Sequence, residues 1–174
     1  MNAVGLFYGS SSGKTEKVAG LIKDSLSNHF SVEVYDIAEA KFVNLSKYSL
    51  LIFGVPTWGI GRLQDDWLRF ISDNLPADLS RSCIAFFGLG DQDGYPDTFN
   101  DGMGILYKAY KASGFIHIGR WPVSDYAFEA SKAVENNEFV GLALDEDNEA
   151  GKTRERIALW VDQLIRESKA YLQK

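Results

Sequence analysis

Four segments of the chain are almost continuously apolar, and longer stretches with helical periodicity separate them. They are AVGLFY (3–8), LLIFG (centred on 51–54), CIAFFG (83–88) and FVGLAL (139–144). Strands that are buried on both faces of a parallel sheet have this composition, so each segment predicts such a strand. Two shorter runs, VEVYD (32–36) and FIHIG (115–119), predict an edge strand and one further short strand.

Helices are predicted between the strands, because apolar residues recur there every three or four positions. Val18, Leu21, Ile22 and Leu26 form such a stripe in the first helix, and the other helices fall at 65–72, 99–113 and about 152–172. Strands that alternate with helices imply right-handed crossovers and a doubly wound α/β fold. We expect a single domain over residues 1–174. The segment 120–138 has no helical stripe and is too long for an ordinary connection, so it predicts an insertion at or within the fifth strand.

The charge distribution narrows the classes of partner. A net charge of −6 argues against nucleic acid as a ligand. Residues 57–101 hold eight Asp and three Arg but no Glu or Lys, a net charge of −5, and 145–149 adds four acidic residues. Such a cluster is either an ordinary solvated surface or a docking face for basic partners. No window approaches the ~20 apolar residues of a membrane span, so we expect a cytoplasmic protein that is not bound to a membrane.

Neither metal nor thiol chemistry is indicated by the sequence. The one cysteine, Cys83, lies in an apolar run and is expected to be a buried hydrophobic residue rather than a redox thiol. His29 and His117 have no metal-ligand spacing to any partner, so no metal site is predicted.

The first predicted strand runs into YGSSSGKT (8–15), which has the composition of a phosphate-binding loop. Its hydroxyl groups come from Ser10, Ser11, Ser12 and Thr15. Gly13 allows close approach, and the helix that follows offers free N–H groups at its N-terminus. Serine-rich turns also cap helices, but four hydroxyls within six residues favour phosphate binding. A nucleotide triphosphatase is disfavoured, because its loop needs four residues before Gly-Lys-Ser/Thr and only three separate Gly9 from Gly13.

Two more loops follow predicted strands, where open parallel sheets bind their ligands. They are GVPTWGIG (54–61) and GLGDQDGYPD (88–97), and each carries one aromatic residue, Trp58 or Tyr95. A lone aromatic residue in such a loop usually covers the core. Two of them beside a phosphate loop instead favour two faces that grip a flat ring.

Taken in order along the chain, these loops resemble those of the flavodoxin family. The resemblance rests on LFYGSSSGKTEKVAGLI, PTWGIG, GLGDQDGYPDTFNDGMG and FVGLALDEDN, and it covers essentially the whole chain. The segment 120–138 resembles the insertion of the long-chain, bacterial-type subgroup. One departure is Leu89, where many members have Thr. The resemblance implies a flavodoxin-like, five-stranded parallel sheet of order 2-1-3-4-5, with helices on both faces and the insertion in the fifth strand.

For the site, the resemblance implies non-covalently bound FMN. The phosphate would be held by Ser10, Ser11, Ser12, Gly13, Lys14 and Thr15. Trp58 would cover the inner face of the ring and Tyr95 the outer face. Backbone groups of Thr57, Gly59, Leu89, Gly90 and Asp91 would meet the pyrimidine edge, and Asp147 the ribityl chain. Pro56, Gly61 and Gly88 complete the expected cofactor-binding set, and no side chain is expected to be catalytic.

The function implied by this resemblance is low-potential, single-electron transfer between the semiquinone and hydroquinone of FMN. The partners would be a flavodoxin reductase and acceptor redox enzymes with basic docking surfaces, and the carrier would be a monomer. An FMN-dependent NAD(P)H:quinone reductase of the same fold is the alternative. That reading is disfavoured because Tyr95, in an acidic loop, would cover the ring that a nicotinamide or quinone must reach.

Overall fold

The computed structural model describes residues 3–172, and the burial of side chains as far as residue 171. The strands are β1 (Ala3–Tyr8), β2 (Ser31–Asp36), β3 (Leu50–Pro56), β4 (Cys83–Leu89), β5 (Ile116–His117), β6 (Trp121–Pro122), β7 (Val134–Glu135), β8 (Glu138–Phe139) and β9 (Leu142–Leu144). The helices are α1 (Lys14–Leu26), α2 (Asp65–Asn74), α3 (Asp101–Tyr110) and α4 (Thr153–Leu172). The predicted alternation of strands and helices is confirmed.

The central sheet is parallel and has the order β2-β1-β3-β4-β5, as predicted. Its two faces carry separate apolar clusters, because side chains alternate along each strand. On one face Leu6 packs with residues of α1 and α4, whereas Phe7 on the other face packs with residues of α2 and α3. Helices therefore cover both faces, and the carboxyl ends of β1, β3 and β4 lie side by side at one edge.

The fifth position of the sheet is filled by two short strands. β5 pairs with the first residues of β4, while β9 pairs in parallel with Phe87, Gly88 and Leu89 at its end. Between them lies a small antiparallel sheet of order β6-β8-β7, so the predicted insertion within the fifth strand is confirmed.

The predicted bounds differ most from the structure in two elements. The run 139–144 is not one strand, because Phe139 belongs to β8 and only Leu142–Leu144 joins the central sheet. The chain crosses close to β4 at Gly141, where a Cβ would collide with the backbone of Phe86. The helix predicted over 99–113 spans Asp101–Tyr110 and continues as a 3-10 turn, and it begins after Asn100, whose φ of 56° interrupts helical geometry.

Cys83 lies in the core, as predicted, and its exposed fraction is 0%. Burial raises the pKa of its thiol to about 11, so the thiol stays protonated at neutral pH. Within residues 3–172, no group of three His, Cys, Asp or Glu side chains is arranged to hold a metal ion. None of the helices in that range is both long and apolar enough to cross a bilayer.

Candidate functional site

A cavity of about 410 Å³ opens beyond the carboxyl ends of β1, β3 and β4. Its lining consists of Ser11, Ser12, Lys14, Thr15, Pro56, Thr57, Trp58, Gly59, Leu89, Gly90, Asp91, Tyr95, Thr98, Glu146 and Asp147. Open parallel sheets bind ligands at this edge, and the volume lies within the range of small-molecule sites. The structure therefore brings most of the predicted site residues together around one cavity. Ser10, Gly13, Gly61 and Gly88 do not line it.

One end of the cavity is formed by residues 10–15 and the start of α1, and we call it the phosphate end. Gly13 adopts φ 86°, a left-handed conformation that glycine takes without strain, and α1 begins at the next residue. Within the described chain, the backbone N–H groups of Ser11, Ser12, Lys14 and Thr15 have no protein acceptor. These N–H groups and the positive end of the helix dipole make a site for an anion.

The hydroxyl groups at the phosphate end fall into two kinds. Ser10 Oγ accepts a hydrogen bond from the N–H of Gly13 at 3.1 Å, so it holds the loop in shape from outside the cavity. Thr15 lines the cavity although its side chain is almost entirely buried, with 2% of the residue exposed. Ser11 and Ser12 also line it. Three of the four predicted hydroxyls are thus available to a ligand.

The loop at the phosphate end also forms hydrogen bonds with the central sheet and with two side chains. The N–H of Gly9 donates to the carbonyl of Gly54 at 3.0 Å. The indole N–H of Trp58 donates to Ser11 Oγ at 3.1 Å, and the side-chain amide of Gln64 donates to the same oxygen at 3.3 Å. Hydrogen bonds within the protein therefore help to hold the loop in this shape.

An ion pair crosses the mouth of the phosphate end. Lys14 Nζ donates to Asp147 Oδ1 at 2.5 Å, and both side chains are about half exposed. This hydrogen bond raises the pKa of Lys14, and burial opposes the shift. With Asp91 and Glu146, the lining contains three carboxylates and one ammonium group, so the cavity wall carries net negative charge.

The other end, which we call the ring end, begins with a tight hairpin that carries Trp58. Trp58 and Arg62 exchange backbone hydrogen bonds of 2.9 and 2.8 Å. Gly59 and Gly61 adopt φ values of 48° and 76°, which a residue with a Cβ rarely adopts. The hairpin thus depends on its glycines, and it presents the Trp58 side chain as one wall of the cavity.

Tyr95 forms the second wall, on a loop wound around the carboxylate of Asp91. Asp91 Oδ1 accepts hydrogen bonds from the N–H groups of Gly94 at 2.7 Å and Asp93 at 3.2 Å, and from the side chain of Asn148. These hydrogen bonds, that of Gly94 first, lower the pKa of Asp91 and keep it ionised. Tyr95 itself is 49% exposed, so one wall of the ring end faces solvent.

The backbone groups predicted to meet the edge of a ring divide into two sets. The N–H of Thr57 donates to Leu89 O and that of Gly90 donates to Leu144 O, each at 3.0 Å, so both are committed to the sheet. The N–H groups of Gly59 and Asp91 have no acceptor within the described chain. Of these four N–H groups, only those of Gly59 and Asp91 are free to recognise a ligand.

Gly61 and Gly88 were predicted as cofactor-binding residues, but the structure gives them packing roles. A Cβ on Gly61 would come within 2.6 Å of Asp101 Oδ2, and one on Gly88 within 2.8 Å of Met103 Cβ. Gly61 therefore lets α3 approach the Trp58 hairpin, and Gly88 lets α3 approach the end of β4. They support the cavity without lining it.

Four residues of the site were not predicted. Thr98 and Glu146 line the cavity, and Gln64 lies beneath the phosphate end. Asp145 is fully buried, and its carboxylate accepts hydrogen bonds from the backbone N–H groups of Gln92, Asp147 and Asn148. The acidic run at 145–149 could have indicated that Asp145 and Glu146 belong to the site, whereas nothing in the local sequence indicated Gln64.

A family model described as Flavodoxin matches residues 6–160 of this chain. The chain belongs to the flavodoxin family. It is 45% identical to a flavodoxin of Nostoc sp. over 92% of this chain and 94% of that protein, and 46% identical to one of Trichodesmium erythraeum over 94% and 96%. Among solved structures, it is similar to the Fusobacterium nucleatum flavodoxin bound to flavin mononucleotide, with a TM-score of 0.89, 25% identity, and coverage of 96% of this chain and 99% of that chain.

Proposed function

We propose that this chain is a low-potential, single-electron carrier that holds FMN non-covalently in the cavity. The observation that carries the proposal is the pairing of free N–H and O–H donors at residues 11–15 with two aromatic side chains at the opposite end. Donors at a helix N-terminus suit a terminal phosphate, and aromatic faces suit a flat ring. The residues present therefore fit the cofactor that the family uses.

At the phosphate end, the N–H groups of residues 11, 12, 14 and 15 and the hydroxyls of Ser11, Ser12 and Thr15 would hold the phosphate. The one ammonium group, Lys14, is already paired with Asp147. Hydrogen bonds, not a cluster of cations, are thus the means of binding. A loop closed around a terminal phosphate leaves no room for the adenylate of FAD.

At the ring end, Trp58 and Tyr95 would contact the two faces of the ring, and the N–H groups of Gly59 and Asp91 its polar edge. When bound, FMN supplies one-electron chemistry at its ring. The carboxylates of Asp91, Glu146 and Asp147 disfavour added negative charge in the cavity, which lowers the reduction potential of the occupant. Members of this family are electron carriers and not enzymes, so the alternative of a quinone reductase is not supported.

The test is a titration of the full-length chain, freed of flavin, with FMN and with FAD, followed by flavin fluorescence. We expect tight binding of FMN, and binding of FAD weaker by more than about tenfold. An absorption spectrum of the purified protein should also contain flavin bands. Equal affinity for the two flavins would contradict the proposed closure around the phosphate.

The family has redox partners, and we propose that those of this chain are a flavodoxin reductase and acceptor enzymes with basic docking surfaces. We also propose that the chain is a single-domain monomer in the cytoplasm. Residues 57–101, which include the half-exposed Tyr95, carry a net charge of −5, and this charge supports docking against a basic surface of the partner. Reduction by such a reductase should slow with rising salt, since screening shortens to about 8 Å at physiological ionic strength. A rate indifferent to salt would contradict docking by charge.

A further inference from the structure

A buried glutamine lies directly beneath the phosphate end of the cavity. Gln64 precedes α2, is 1% exposed, and accepts backbone hydrogen bonds from Trp67 and Leu68 through its carbonyl. Its side chain occupies the space that a Cβ on Gly9 would fill, since such a Cβ would collide with Gln64 Oε1. A fully buried polar side chain in this position calls for an explanation that packing alone does not give.

The orientation of the Gln64 amide follows from its neighbours. Nε2 lies 3.4 Å from Asp66 Oδ2 and 3.3 Å from Ser11 Oγ. A carboxylate only accepts hydrogen bonds, so the amide atom that faces Asp66 is the nitrogen. The amide oxygen then faces Gly9, where it is buried and has no hydrogen-bond partner among the described residues. The amide oxygen makes no hydrogen bond to the described residues, and burying an unpaired carbonyl is unfavourable. Any role of the Gln64 side chain in the site therefore comes from its N–H donors.

The N–H group of Gln64 decides what the hydroxyl of Ser11 can do. Ser11 Oγ accepts from Gln64 Nε2 and, at 3.1 Å, from Trp58 Nε1, which can only donate. A hydroxyl group has two acceptor positions and one proton. With both acceptor positions filled, the O–H of Ser11 has to donate, and the described residues offer it no acceptor. Ser11 lines the cavity, so its proton is left for a ligand.

We infer that Gln64 is a positioning residue which, with the indole of Trp58, fixes the hydroxyl of Ser11 as a donor to a ligand phosphate. This inference rests on the proposed function and deepens it. Phosphate oxygens of the dianion are acceptors only, so a serine that is obliged to donate recognises them. Through its hydrogen bond to Ser11 Oγ, the Trp58 side chain also connects the ring end of the cavity to the phosphate end.

The test compares two flavins that differ only in the phosphate. The full-length chain, freed of flavin, is titrated with FMN and with riboflavin, before and after Gln64→Met, which keeps the shape but removes the N–H. We expect FMN to bind about tenfold more weakly to the variant, because Ser11 is no longer held as a donor to the charged phosphate. Riboflavin should bind within about twofold of its original affinity. Equal losses for both flavins, or no loss of FMN affinity, would overturn the inference.

A double-variant cycle asks whether Gln64 acts through Ser11. Ser11→Ala should weaken FMN selectively, and adding Gln64→Met should then cost little more, because the hydroxyl to be oriented is gone. Independent, additive losses would contradict action through Ser11. Gln163→Met is a matched control, since the Gln163 amide donates to Arg120 O at 3.0 Å, away from the cavity. It should leave both flavins unaffected.

A titration with inorganic phosphate separates this inference from the proposed function. If the unmodified chain failed to bind FMN, the proposed function would be wrong, but phosphorus NMR could still measure phosphate binding. Weaker phosphate binding by Gln64→Met than by the unmodified chain would support the role of Gln64. Equal binding by the two proteins would refute it.

Discussion

At the phosphate end the cavity is lined by hydrogen-bond donors of residues 11–15 at the start of a helix, whereas at the ring end it is lined by aromatic side chains on loops. Thr15 and the underlying Gln64 are almost wholly buried, whereas Tyr95 is 49% exposed and Gly59 is also exposed. Hydrogen-bond donors of fixed direction bind a ligand group strongly only when it lies at one position. Aromatic faces bind in proportion to contact area, so they tolerate some displacement of the ligand.

The difference assigns separate tasks to the two ends. The phosphate end would supply selectivity for a terminal phosphate, since its amides and hydroxyls are placed by hydrogen bonds within the protein. The ring end would set the surroundings of the redox group and leave it within reach of a partner. Substitutions at the two ends should therefore be distinguishable by comparing FMN with riboflavin.

The largest effect is expected at the phosphate end, from Thr15→Val. The substitution keeps the volume of this buried residue and removes its hydroxyl donor, so FMN binding should weaken by about 1–3 kcal/mol. Riboflavin binding should not change, and Thr15→Ser should restore FMN binding. Fluorescence titration of all three proteins checks this, and a comparable loss of riboflavin would show that the two ends are not separable.

At the ring end, Gly59→Ala should strain the hairpin. Its φ of 48° costs a residue with a Cβ about 1–2 kcal/mol, although no atom lies near the added methyl group. Urea denaturation of the flavin-free chain should show a loss of stability of this size. Gly20→Ala in α1 is the control, because it also adds a methyl into open space but at an ordinary helical φ, and it should stabilise the chain by about 0.5–1 kcal/mol. A stability unchanged by Gly59→Ala would mean that the hairpin relaxes freely.

Tyr95→Leu should weaken FMN and riboflavin by the same amount, about 0.5–1.5 kcal/mol, because the loss is one of aromatic contact. Tyr95→Phe keeps the ring and should bind both flavins normally. Titration with the two flavins is again the measurement. A loss of affinity for FMN alone would mean that Tyr95 contributes to phosphate binding, and it would contradict the division of the cavity into two ends.

The smallest effect on flavin binding at either end is expected from a substitution of Glu135, which lies in the insertion. Hydrogen bonds from Lys111, Arg120 and Tyr107 lower the pKa of this carboxylate from 4.5 to about 2. A lowered pKa stabilises the fold above pH 4.5, and this contribution is lost as the pH falls towards 2. Glu135→Gln should therefore be less stable than the unmodified chain at pH 7, and the difference should shrink on acidification.

Urea denaturation from pH 7 downwards measures that difference, and flavin titration at pH 7 is its control. Both flavins should bind as before, because Glu135 does not line the cavity. A change in FMN affinity would couple the insertion to the phosphate end. A stability difference that persisted at pH 2 would contradict the assignment to ionised Glu135.

Local patterns were sufficient for the elements and for most of the cavity. Continuous apolar runs predicted β1, β3 and β4, since strands buried on both faces have no polar positions to interrupt them. Loops that follow such strands meet at one edge, so Ser11, Thr15, Trp58 and Tyr95 could be placed around one site. The run 139–144 was wrongly predicted to be one strand, because its apolar composition gives no indication that the chain crosses close to β4 at Gly141.

The sequence by itself therefore determined the fold class, the edge of the sheet where the cavity opens, and the two kinds of group that line it. Only the tertiary structure decided which groups are free. It committed the N–H groups of Thr57 and Gly90 to the sheet, paired Lys14 with Asp147, and put Gln64 beneath Ser11. The physical reason is that periodicity reports burial along one element, whereas a hydrogen bond between residues 11 and 64 depends on how separate elements pack.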